Sequence, residues 1–97
     1  MAKTKHDAIA EKLAKKFGTE YKRDKGIDIV IKDKVIEVET KKNSISQGID
    51  QVQTSSKARY IAVNKINVKN ALNATEGTGI GVMSETGSIV KKAGRKR

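Results

Sequence analysis

The stretch from residue 27 to residue 40 decides the fold, and it reads IDIVIKDKVIEVET. Aliphatic, mostly β-branched residues dominate 27–31 and 35–40, and the charged triplet at 32–34 separates the two runs. Two such runs joined by a short polar segment are typical of a β-hairpin. Because alternate residues of a strand face opposite sides, one face of this hairpin is expected to carry the apolar set Ile29, Ile31, Ile36 and Val38.

The register of the hairpin decides which polar residues meet on its other face. The expected pairing sets Ile29 against Val38, because a slip of one residue would turn every side chain to the wrong side. That register places Asp28 opposite Glu39, Val30 opposite Glu37, and Gly26 opposite Lys41. Asp28 and Glu39 are then expected to meet on the non-core face, with Lys41 two residues further along.

Two directly opposed carboxylates repel each other, so their pairing points to a bound divalent cation. In that arrangement the cation acts as a Lewis acid and as a source of hydroxide, and Lys41 orients water or stabilises charge on a phosphoryl group. The pattern therefore predicts metal-assisted hydrolysis of a phosphodiester bond. A charged, solvated outer face with Glu39 and Lys41 as a surface pair is the competing interpretation.

Outside the hairpin, helix and strand patterns alternate. Ile9, Leu13 and Phe17 recur at four-residue intervals before Gly18, which predicts a helix from about Asp7 that ends at this glycine. The other expected elements are an edge strand at 21–23, a helix from 44 or 46 to 56, a strand at 59–64, a helix at 68–74, and strands at 80–83 and 88–90. The sequence thus predicts a single α/β domain over 1–97, with a basic arm at 1–6 that includes an exposed His6 and a disordered basic tail at 91–97.

The composition of the chain indicates the kind of partner and excludes several kinds of functional site. The chain of 97 residues carries 21 Lys and Arg against 11 Asp and Glu, a formal net charge of +10, which favours a polyanionic partner. It has no cysteine and one histidine, so disulfides and thiolate or His-rich metal sites are excluded. No segment approaches the ~20 apolar residues of a membrane-spanning helix, and a soluble cytoplasmic protein is expected.

Asp28 followed by Glu39-Thr40-Lys41 resembles the signature of the PD-(D/E)xK superfamily, whose members have the restriction-endonuclease-like fold. The helix segment Ala10-Glu11-Lys12-Leu13 is similar to the first helix of small archaeal Holliday junction resolvases. The resemblance covers roughly 7–64. It implies a three-layer fold with an αβββαβ core, in which a central mixed sheet is flanked by helices.

The resemblance also implies a catalytic site and a substrate. Asp28, Glu39 and Glu11 are the expected metal ligands, Lys41 is the catalytic lysine, and Mg²⁺ is the cofactor, with Mn²⁺ able to substitute. Structure-directed cleavage of branched or duplex DNA by a homodimer is the implied activity. A non-catalytic basic nucleic-acid-binding protein with a degenerate nuclease fold is the alternative.

One departure from the resolvase pattern leaves the third member of the site open. Resolvases commonly have Ile-Glu-Val-Lys at this strand, and here Ile36-Glu37-Val38 is followed by Glu39. In that alignment Glu37 is the metal ligand and Glu39 replaces the lysine, whereas the expected register favours Glu39 with Lys41. Gln47 and Gln51, one turn apart on the next helix, are auxiliary candidates, and the cations expected to contact nucleic-acid backbone are Lys12, Lys15, Lys16, Lys22, Arg23, Lys25 and Lys42.

Overall fold

The computed structural model describes residues 4–21 and 27–94. The first element, α1 (Lys5–Lys16), begins earlier than the apolar pattern predicts. The hydroxyl of Thr4 accepts a 3.0 Å hydrogen bond from the Asp7 N–H, which caps the helix, and Asp7 lies in the first turn, where negative charge is favourable. Gly18 has φ +71° and ends the helix as predicted.

The hairpin consists of β1 (Ile29–Val30) and β2 (Lys34–Glu39). A 3₁₀ turn (Lys42–Ser44) leads into α2 (Ile45–Gln53), and β3 (Ala58–Val63) follows. A second 3₁₀ turn (Lys65–Asn67), α3 (Val68–Ala74), β4 (Gly81–Met83) and β5 (Ile89–Lys91) complete the described elements. The strand expected at 21–23 falls mostly outside the described residues.

The five strands form one mixed sheet in the order β1-β2-β3-β4-β5. The three central strands are parallel, and the two edge strands β1 and β5 each pair antiparallel with their neighbour. Because β2, β3 and β4 are parallel, the chain crosses over between them through α2 and α3. The expected α/β class, with helices flanking a mixed sheet, is confirmed.

Each face of the sheet has its own apolar layer. On one face α1 packs through Ile9 and Leu13 against Ile29, Ile36 and Val38, as the alternation in the hairpin predicts. On the other face α2 packs through Ile45, Ile49 and Val52 against Val35 and the apolar residues of β3 and β4. Burial of each such side chain stabilises the fold by about 1.5–3 kcal/mol relative to leaving it exposed. Of the described helices, none has the length and apolar character needed to cross a membrane.

Parts of the expected arm and tail belong to regular secondary structure. Lys5 and His6 belong to α1, so the predicted arm at 1–6 is wrong for these residues. Lys91 belongs to β5, and the predicted disorder from 91 onward is wrong there as well. Residues 1–3 and 95–97 lie outside the described part.

Candidate functional site

The hairpin register is shifted by two residues from the expected one. Ile29 pairs with Ile36 and Val30 with Val35, so the predicted pairing of Ile29 with Val38 is wrong. The N–H of Ile31 donates to the Lys34 carbonyl at 3.0 Å, which leaves only two residues at the tip of the hairpin. Both registers keep the apolar residues on the same face, and only the position of the turn distinguishes them.

This register makes Glu37, and not Glu39, the partner of Asp28. The main-chain N–H of Asp28 donates a 2.9 Å hydrogen bond to Oε1 of Glu37. In return, Oδ2 of Asp28 accepts a 2.9 Å hydrogen bond from the main-chain N–H of Val38. Both carboxylates are therefore held by backbone groups of the opposite strand, and the predicted direct pairing of Asp28 with Glu39 is wrong.

His6 is the side chain of α1 that contacts Asp28. Its Nε2 lies 3.1 Å from Oδ2 of Asp28, and its Nδ1 lies 3.1 Å from the Tyr21 hydroxyl. That hydroxyl donates to Oδ1 of Asp7 at 3.0 Å, so the imidazole is held from both sides. The hydrogen bond to Asp28 is the main reason that the pKa of His6 rises to about 9.

The prediction of His6 as an exposed arm residue is wrong, and a local signal could have corrected it. Thr4 followed three residues later by Asp7 is a helix-capping pattern. A helix that starts after Thr4 places His6 one turn before Ile9 and Ala10, on the buried side of α1. Glu11 is about 140° around the helix axis from His6 and takes no part in the described contacts of Asp28.

Glu37 and Glu39 lie on the sheet face that α2 covers. Both are buried. Burial, with the charge of Asp28 as the next cause, raises the pKa of Glu37 to about 8. Burial also raises the pKa of Glu39, although the nearby Ser44 hydroxyl and His6 oppose the shift. The protein therefore holds at least one of these carboxyls in a place where its negative charge is costly.

Gly48 allows α2 to approach Glu39 closely. A Cβ atom at this position would lie 2.7 Å from Oε2 and 2.8 Å from Cγ of Glu39, closer than such atoms can approach. The glycine is needed here for space, and its cost to helix stability is about 1 kcal/mol relative to alanine. α2 therefore packs directly against Glu39.

A cavity of about 380 Å³ lies between β2 and α2, and its lining is entirely polar side chains that carry oxygen. Glu37 and Glu39 form its floor, and Gln47, Asp50 and Gln51 line it from the helix. The two glutamines proposed as auxiliary residues thus meet the glutamates across this cavity. Asp50 is a further acid that the sequence analysis did not select, although it lies one turn after Ser46 and three residues after Gln47 on the same helix.

Lys41 lies in a neighbouring cavity, beyond the end of β2. It is exposed and shares a cavity of about 610 Å³ with Thr4, His6 and Asp7. No ion pair joins it to Asp28 or Glu39 among the described residues. His6 is therefore the side chain common to the two regions, because it lines the cavity of Lys41 and contacts Asp28.

The cations expected to contact nucleic acid are dispersed. Lys12, Lys15 and Lys16 belong to α1, which covers the face of the sheet opposite to Glu37 and Glu39. Lys16 also donates a 3.0 Å hydrogen bond to the Thr86 carbonyl. Lys42 is exposed before α2, and Lys22, Arg23 and Lys25 lie outside the described residues.

The chain was compared with protein-family models, with curated proteins and with solved structures, and none of them gives a significant match.

Proposed function

We propose that this protein is a metal-dependent endonuclease that hydrolyses phosphodiester bonds of DNA, with Asp28, Glu37 and Glu39 as its acidic centre. The observation that carries the proposal is the pairing of Asp28 with Glu37 at the edge of the sheet, with Glu39 buried two residues along the same strand. Three acids concentrated on one hairpin of a chain with net charge +10 fit a site for a cation and a polyanionic substrate.

The proposal requires side chains that suit a divalent cation. The lining of the cavity offers carboxylate and amide oxygens, which suit Mg²⁺ and Mn²⁺. In residues 4–21 and 27–94, however, no group of three or more His, Cys, Asp or Glu side chains is arranged to hold a metal ion. The chemistry of the donors, and not their present arrangement, is what fits the cation.

In this proposal Asp28, Glu37 and Glu39 would hold the metal, which would supply a Lewis acid for phosphodiester hydrolysis. The other residues of the chain position these acids. The Val38 N–H and His6 both contact Oδ2 of Asp28 and fix the orientation of this carboxylate. Gln47 and Gln51 can donate hydrogen bonds from α2 to the glutamates or to a phosphate.

The Glu-x-Glu arrangement replaces Lys41 in the central role that the sequence analysis assigned to it. Lys41 lies with His6 in the adjoining cavity, where a cation suits contact with a substrate phosphate. The order of elements around the hairpin, with a helix before it and a helix and parallel strand after it, is compatible with the restriction-endonuclease-like fold. From the resemblance to the resolvases, we further propose that the protein acts as a homodimer and cleaves branched DNA.

The test is cleavage of labelled four-way junction, duplex and single-stranded DNA by the full chain, in Mg²⁺ and in EDTA. The expected result is magnesium-dependent cutting by the wild type and none by Asp28→Ala. Identical products from the two proteins would overturn the assignment of the site.

A non-catalytic nucleic-acid-binding protein is the second candidate, because the described acids are not arranged around a common ion position. Calorimetric titration with Mn²⁺ separates the two proposals. Metal binding that is lost in Glu37→Gln supports the nuclease. Salt-dependent DNA binding without any metal binding supports the second candidate.

A further inference from the structure

Arg59 is a buried cation, and one of its guanidinium nitrogens has no hydrogen-bond partner in the described residues. It is the second residue of β3 and is only 3% exposed. Within the described part of the chain its Nη1 has no hydrogen-bond partner, and no carboxylate forms an ion pair with it. Buried guanidinium groups in folded proteins are almost always paired, because a lone charge away from water is strongly destabilising. Among the described residues, no anion balances the charge of Arg59.

Arg59 also lines a cavity in which an anion can bind. The cavity has a volume of about 650 Å³, and Lys57, Ser55 and Ser56 also line it. The Oγ of Ser55 accepts a 3.1 Å hydrogen bond from the Lys57 N–H, so its own O–H is available to donate. The ammonium of Lys57 is anchored by a 2.6 Å hydrogen bond to the Ile31 carbonyl. The described residues of the lining include two cations and two hydroxyls, and none of them carries a carboxylate.

We propose that this cavity binds a phosphate group, with Arg59 and Lys57 as the cations that neutralise it. The planar fork of an arginine matches the oxygens of phosphate, and two cations match the charge of a dianion. The phosphate can be free in solution or part of a nucleic-acid backbone, since the recognised chemistry is the same.

This site is separate from the carboxylates of the proposed nuclease. Arg59 pairs with Val35 at the start of the parallel strands β2 and β3, whereas Glu37 and Glu39 pair with Ile61 and Val63 further along. Glu39 is four residues from Val35, about 13 Å along the strand. The phosphate site therefore does not depend on whether the carboxylates cut DNA.

The first test is thermal unfolding of the full chain in inorganic phosphate, against sodium chloride of equal ionic strength. At ten times the Kd of phosphate, the Tm of the wild type is expected to rise by roughly 5–10 °C. Arg59→Met fills similar space without the charge, so its Tm without phosphate should equal or exceed that of the wild type, and phosphate should not raise it.

Two further variants keep the result interpretable. Lys57→Gln is expected to weaken phosphate binding about tenfold, and it tests the cavity even if Arg59→Met folds poorly. Lys69→Gln changes an exposed lysine of α3 and should keep the wild-type response. Equal phosphate responses in the wild type, Arg59→Met and Lys57→Gln would overturn the proposal. So would a Tm of Arg59→Met far below that of the wild type without phosphate, together with a wild-type response in Lys57→Gln.

Duplex DNA identifies the source of the phosphate. If a backbone phosphate occupies the cavity, the slope of log K against log salt should be smaller by about 0.9 in Arg59→Met. If the slope is unchanged while inorganic phosphate still binds the wild type, the ligand is a free phosphate compound. Loss of DNA cleavage in Glu37→Gln, with phosphate binding intact, would keep this site distinct from the proposed nuclease.

Discussion

The main-chain N–H of Asp28 donates a 2.9 Å hydrogen bond to Oε1 of Glu37, and this bond joins the two strands of the hairpin at the centre of the candidate site. It identifies the first glutamate of the Glu-x-Glu sequence as the direct partner of Asp28. Under the proposed resemblance to the PD-(D/E)xK nucleases, Glu39 would take the position of their lysine, and Lys41 lies outside the group of acids. The predictions below follow from this arrangement.

Glu37→Gln is expected to lower magnesium-dependent DNA cleavage by at least about a hundredfold, because it removes a proposed metal ligand. Lys41→Ala should lower the same rate by less than about tenfold, since Lys41 is exposed and has no described contact with the acids. The measurement is single-turnover cleavage of a labelled junction. Glu76→Gln, at an exposed glutamate after α3, is the matched control and should cut at the wild-type rate. The opposite ranking of Glu37 and Lys41 would favour the Glu39/Lys41 site.

Gly48→Ala is expected to destabilise the protein by about 1–2 kcal/mol and to reduce cleavage. The added methyl group would lie 2.7 Å from Oε2 of Glu39, and the cost of this overpacking exceeds the gain in helix propensity. Urea unfolding measures the stability, and Ser46→Ala, at an exposed position of the same helix, serves as the control. A Gly48→Ala protein that is more stable than the wild type would show that α2 does not cover Glu39 so closely.

Stability should depend on the charge of His6. Its pKa is raised from 6.5 to about 9 in the folded state, so its contribution is fully present below pH 6.5 and is lost as pH rises through 9. His6→Asn should therefore destabilise the protein at pH 6 and change it little at pH 10. Tm measured across this range in EDTA checks the prediction. A difference between the two proteins that does not change with pH would mean that His6 acts only through packing.

Glu37→Gln is expected to stabilise the protein at high pH, whereas His6→Asn is expected to destabilise it at pH 6. The pKa of Glu37 is raised from 4.5 to about 8, so ionisation of this buried carboxyl costs stability as pH rises from 4.5 to 8. Glutamine can still accept the Asp28 N–H bond without the charge. In EDTA at pH 9 the variant is expected to be more stable than the wild type by on the order of 2 kcal/mol, and nearly equal to it at pH 5. A variant that is less stable at pH 9 would contradict this account of Glu37.

The apolar pattern of the hairpin predicted correctly which residues face the core. Ile29, Ile36 and Val38 are fully buried against α1, and the Ile45, Ile49 and Val52 stripe of α2 packs on the other face. These predictions succeed because burial of apolar side chains depends mainly on the period of the local structure. The same reasoning selected Asp28 and Glu39 as the expected acids of the site, with Glu37 as an auxiliary acid, and this selection stays a prediction.

The pairing of those acids could not be read from the pattern. A shift of two residues between the two strands keeps every apolar side chain on its face, so both registers satisfy the apolar pattern of the sequence equally well. The two-residue tip and the hydrogen bonds of Asp28 with Glu37 and Val38 decide between them. The contact of His6 with Asp28 likewise depends on residues far apart in the chain. The same holds for the burial of Arg59 without a partner for its Nη1 among the described residues. The sequence by itself determined the α/β class and the faces of its elements, because these are local properties. The tertiary structure alone decided which charged groups meet, because that depends on register and packing across the sheet.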